Sequence, residues 1–73
     1  MKQIHVFKTS VINGNDIDLL TPVLNRLMGP HERWNFDLED RDNILRVEST
    51  GIAAVAVINS LLHAGFDCAE LED

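Results

Sequence analysis

Seventy-three residues make one domain with one small core, and the single cysteine, Cys68, excludes an internal disulfide. Six basic against twelve acidic side chains give a formal net charge of −6. That balance excludes the phosphate-neutralising surface on which nucleic-acid binding rests, and it leaves a protein partner or a cation open.

Residues 4–11 read as a strand, because Ile4, Val6, Phe7, Thr9 and Val11 are β-branched or aromatic. Asn13-Gly14-Asn15 breaks that strand. Asn15 is the expected helix N-cap, with Asp18 three residues on as its capping-box partner. From Ile17 the spacing turns helical: Ile17, Leu20, Leu24 and Leu27 share a stripe, with Val23 beside it. Pro22 interrupts this pattern, because an interior proline removes a backbone hydrogen bond at a cost of about 3 kcal/mol. The expectation is either a kinked helix from Asp16 or a short turn and then a helix from Pro22. Gly29-Pro30 stops it in both cases.

Residues 31–40 alternate, with Trp34, Phe36 and Leu38 on one face and Asn35, Asp37 and Glu39 on the other. This is the pattern of a half-buried strand. The polar turn Glu39-Asp40-Arg41-Asp42-Asn43 leads into a strand over residues 44–49, so the two form an antiparallel hairpin. Ser49 or Thr50 is the expected cap of a helix over residues 52–64, and Gly65 its stop. Residues 66–71 read as a last short strand before an acidic end. The order βαββαβ predicts an α+β, ferredoxin-like fold: a four-stranded antiparallel sheet with both helices on one face, over residues 1–73 as a single domain.

Several strings carry a family resemblance. Gly65-Phe66-Asp67 looks like a Gly-Tyr-x turn into a last strand, and the first strand, its loop and Val23-Leu24-x-x-Leu27 lie on the same pattern without a gap. With the length and element order, these resemble the heavy-metal-associated domain of copper chaperones and metal-pumping ATPases. In that family a Met-x-Cys-x-x-Cys motif holds the metal. Here the motif falls on Val11-Ile12-Asn13-Gly14-Asn15-Asp16, so valine stands at the methionine position and Asn13 and Asp16 stand at the cysteines. Copper(I) selects thiolates, and an amide with a carboxylate does not replace them. The resemblance therefore implies the fold and withholds the thiolate metal site; no cofactor is expected.

Other chemistry is sparse. Asn13, Asp16 and Cys68 remain the candidate non-standard metal ligands. His5, His31 and His63 lack ligand spacing. Asp37, Glu39, Asp40 and Asp42 lack the order and glycine of an EF-hand and read as a solvated turn, as do Glu70, Glu72 and Asp73. Ser10, Ser49 and Ser60 have no nucleophile signature, no phosphate-cradling glycine loop exists, and the acylphosphatase-like reading fails for want of a basic residue in the first loop. No enzyme is expected.

The positive signal is residues 51–62, which carry no charge. If Ala54, Val57, Ile58 and Leu61 face the sheet, then Ile52, Val55 and Leu62 are left outward as interface candidates, against the alternative of an ordinary alanine-lined surface. The leading expectation is a non-enzymatic protein acting by protein–protein contact or as a homodimer through this helix. One alternative is metal binding or transfer through non-standard ligands. The other is a small-molecule-sensing regulatory domain. A lone cysteine suits a cytoplasmic setting, no secretory signal follows Met1-Lys2-Gln3, and no run approaches the roughly 20 apolar residues of a membrane span.

Overall fold

Alternating side chains build the sheet from its centre outward. The computed structural model describes residues 2–71. Its elements are β1 (Gln3–Thr9), α1 (Gly14–Leu27), β2 (Arg33–Asp37), β3 (Ile44–Ser49), α2 (Ala54–His63) and β4 (Cys68–Glu70). The strands form one antiparallel sheet in the order β2-β3-β1-β4, which makes the fold ferredoxin-like α+β. β2 and β4 are the edges.

Register decides which residues share a face. Phe7 lies opposite Leu45 and His5 opposite Val47, while Trp34 and Phe36 of β2 oppose Val47 and Leu45. These point to the helical side, where Phe7, Leu45 and Val47 join Leu20, Leu24, Val57 and Leu61 in a fully buried cluster. Each such side chain contributes about 1.5–3 kcal/mol by leaving water. Trp34, Phe36 and Leu38 pack against this cluster half-buried, as their alternation predicts. The opposite face presents Lys8, Arg46 and Glu48 to solvent or near it.

α1 is one helix that runs through Pro22 and starts at Gly14, earlier than either expected form. The carbonyl that loses its partner is that of Asp18, an exposed residue, so water can serve it. Buried Leu20 and Leu24 flank the proline and hold the helix down on the sheet. The Trp34 indole Nε1 donates to Asn25 Oδ1 at 3.0 Å and ties β2 to this helix.

α2 begins at Ala54, two residues after the expected start, and neither Ser49 nor Thr50 caps it. Its N-cap is Ala53, which makes no side-chain bond, and the Ser49 hydroxyl instead accepts from the Ile52 N–H at 3.1 Å in the turn before the helix. The helix ends as expected. Gly65 sits at φ +94°, the Phe66 N–H donates to the Leu61 carbonyl and the Gly65 N–H to that of Leu62. That is a Schellman closure, and only glycine adopts its left-handed residue without strain.

The strands are shorter than their sequence patterns. β1 stops at Thr9, β2 covers only residues 33–37, and β4 only residues 68–70. Glu72 and Asp73 of the acidic end lie outside the described residues.

Candidate functional site

The loop from Val11 to Asp16 is closed by its own side chains. Val11 is fully buried in the core, so the position aligned with the motif methionine serves packing. Asn13 is the N-cap of α1, its Oδ1 accepting from the Asp16 N–H at 2.9 Å. Asp16 Oδ2 accepts in turn from the Ile12 N–H at 3.1 Å. The expected cap pair, Asn15 with Asp18, is therefore replaced by Asn13 with Asp16, one frame earlier. The two residues at the cysteine positions satisfy backbone donors that the helix start would otherwise leave open. The Asp16 carboxylate also lies in the first turn, where the helix dipole favours negative charge.

Cys68 stands elsewhere. It opens β4 opposite Thr9, half-buried, and lines a depression of about 430 Å³ with Lys8, Ser10, Leu62, Asp67 and Ala69. Neither Asn13 nor Asp16 borders that depression. Burial pushes the thiol up from 9.0 to about 11, so the thiolate that a metal or an electrophile needs is scarce at neutral pH. The fold thus does not bring the three candidate ligands together. Among the described residues no group of three or more His, Cys, Asp or Glu side chains is placed to hold a metal ion.

The acidic hairpin builds its own turn. Asp37 Oδ1 accepts from the Glu39 N–H, and Asp40 Oδ1 accepts from the Asp42 N–H at 2.9 Å. Asp37 also faces Arg46, and Asp42 faces Lys8, at 3.8 and 3.9 Å. Asn43 takes φ +51°, a left-handed conformation that asparagine tolerates, and its carbonyl accepts from the Thr9 hydroxyl at 2.6 Å.

The three interface candidates separate. Val55 and Leu62, seven residues apart on α2, are 59% and 48% exposed. Ile52 precedes the helix and packs half-buried against the core, so it belongs to the support of α2. Leu62 lines the same depression as Cys68 and Ala69 of β4 and Lys8, Thr9 and Ser10 at the end of β1. On the other side of α2, Ser60, His63 and Ala64 face Val23, Arg26 and Leu27 of α1 across an open groove of about 410 Å³. His5 is the contact that sequence reasoning missed: its Nδ1 lies 3.1 Å from Glu70 Oε2, across 65 positions of sequence.

Comparison with known proteins gives no matching family model and no matching curated protein. No helix among the described residues is long and apolar enough to cross a membrane.

Proposed function

We propose that this chain is a non-enzymatic, cytoplasmic domain similar to the heavy-metal-associated domain but without its thiolate site, and that it acts by protein–protein contact, through self-association on the outer side of α2. One observation carries the reading: Val55 and Leu62 are exposed, on either side of Asn59, on a helix with no charged residue before His63. Large apolar side chains on the outer side of a helix gain by being covered. The capping roles of Asn13 and Asp16 support the other half, because ligand atoms already spent on backbone donors make a poor metal site. Sedimentation of untagged protein, with a pull-down alongside, tests the proposal. A concentration-dependent mass or a stoichiometric protein partner is expected; a monomer that recovers no partner would overturn it.

A second reading, small-molecule sensing, draws on the groove between the helices, where Arg26 and His63 flank the apolar Val23 and Leu27. A thermal-shift screen of amino acids and nucleotides separates it, since a saturable rise in midpoint would favour it over the first. Metal transfer through non-standard ligands is tested by metal analysis of untagged protein, where stoichiometric copper, zinc or nickel would restore it.

A further inference from the structure

Asn13 and Gly14 are the chain's one Asn-Gly pair; its other asparagines precede Asp16, Arg26, Phe36, Ile44 and Ser60. An asparagine amide carbon and the next backbone nitrogen are the two atoms that close a five-membered imide ring. Here both residues are exposed. Gly14 opens α1, so its N–H has no acceptor within the helix, and no other bond among the described residues takes it. Apart from its chain neighbours and the helix backbone, no heavy atom lies within 4 Å of where its Cβ would stand. Nothing therefore screens that nitrogen.

We infer that Asn13 is a site of spontaneous covalent modification, closing on Gly14 to a succinimide that opens to aspartyl and isoaspartyl forms. The Gly14 nitrogen gives its proton to solvent base and bonds to Asn13 Cγ. The amide C–N bond of the side chain breaks, and its nitrogen takes a proton from water and leaves as ammonia. Water then adds to one of the two ring carbonyls. Cleavage of the new Cγ–N bond gives an aspartate at this position. Cleavage of the original peptide bond gives an isoaspartate, with the chain rerouted through the side-chain carbon. The sum is one water in and one ammonia out, with no change of oxidation state, and either product adds one negative charge.

The helix cap is the gate. Asn13 lies at φ −155° and ψ 176°, and ring closure turns it out of that conformation and away from the Asp16 N–H. Such a cap slows closure by about fivefold, the fold-change equivalent of a typical N-cap side chain. The other asparagines are held harder. Asn15, Asn25 and Asn59 lie inside helices and Asn35 inside β2, while Asn43 precedes the branched, buried Ile44. The two products differ in what they leave of the corner. An aspartate keeps an acceptor for the Asp16 N–H and caps as well as asparagine does. Isoaspartate lengthens the chain by one carbon and displaces the carbonyl that the Ile17 N–H uses at 3.2 Å, so the first turn of α1 loses its start. This chemistry is the same whether or not the chain self-associates.

Mass spectrometry of the full chain held in warm, mildly alkaline buffer tests the site. The chain should gain one mass unit, and digestion should place the gain at Asn13 as two peptides of equal mass, aspartyl and isoaspartyl, that chromatography resolves. A synthetic peptide spanning Ser10–Asp18 sets the unrestrained rate, and the folded chain should react within about tenfold of it. Gly14→Ala should slow the gain at least about tenfold, because a Cβ hinders the attacking nitrogen. The same variant should leave the circular dichroism spectrum unchanged, since that Cβ meets open space. Purified isoaspartyl chain should melt below the parent, whereas Asn13→Asp should melt with it. An unmodified Asn13 after the peptide is consumed, a gain that appears first at another asparagine, or a Gly14→Ala chain that reacts as fast as the parent would overturn the site. Equal melting of the isoaspartyl and parent chains would overturn its effect on the cap.

Discussion

Two neighbouring parts of the molecule, the β1–α1 corner and the β4 edge beside it, treat their polar groups in opposite ways. At the corner between β1 and α1, the Asp16 and Ile12 N–H groups find acceptors on Asn13 and Asp16, and Val11 fills the core beneath. At the β4 edge, the backbone of Cys68 and Glu70 faces outward beside an exposed leucine. A donor already paired within the chain has no further acceptor to seek, whereas the outward groups of an exposed edge strand are left to solvent. The difference teaches that Asn13 and Asp16, at the positions where the cysteines of the motif would fall, are occupied in capping the helix.

The comparison can be broken from either end. The largest effect belongs to the corner's packing: Val11→Ala should lower unfolding stability by about 2 kcal/mol, read from denaturant midpoints, because a fully buried side chain is truncated. Asn13→Ala should cost about 1 kcal/mol by the same measurement, the usual worth of an N-cap side chain, whereas Asn15→Ala should be nearly neutral. If Asn15 proved the costlier of the two, the closed corner would be wrong.

A sharper probe exchanges the corner's chemistry. Asn13→Cys with Asp16→Cys should lose the cap and gain a two-thiol site, giving copper(I) binding in a competition titration that the unmodified chain does not give. On the outer side of α2, Leu62→Lys and Val55→Lys should leave stability within about 0.5 kcal/mol, as exposed substitutions do, while changing the association state.

The smallest effect is the thiol. Its pKa is raised by burial to about 11, so alkylation of Cys68 should be slow at pH 8 and quicken only as pH climbs toward 11. A folded pKa above the unfolded one means its contribution to stability is complete below pH 9 and fades as pH rises through about 11. Alkylation as fast as a free thiol at pH 8 would contradict that burial.

Much of the fold was legible because single features decided it. Trp34, Phe36 and Leu38 at every second position allow only a strand with one buried face, and Gly65 supplies the left-handed stop that α2 uses. The cap was misplaced because the sequence contains two overlapping frames, Asn13-x-x-Asp16 and Asn15-x-x-Asp18, with the same local chemistry. Burial of Val11 anchors the loop just before the earlier frame, and burial belongs to the tertiary structure. Ile52 continues the helical pattern of the sequence, yet it lies in the turn before α2 that the Ser49 hydroxyl holds, and so packs inward. The exposed side of α2 was legible in part. Val55 and Leu62 stand out in a charge-free run, but the meeting of Leu62 with the ends of β1 and β4, and the turning of Glu70 toward His5, join residues far apart in the chain.

Sedimentation equilibrium of the untagged chain across a wide concentration range, with and without added copper or zinc, tests the central claim most directly. The account predicts a reversible rise from monomer to dimer mass that is the same with and without metal. A strictly monomeric mass throughout, or association only when metal is supplied, would contradict it.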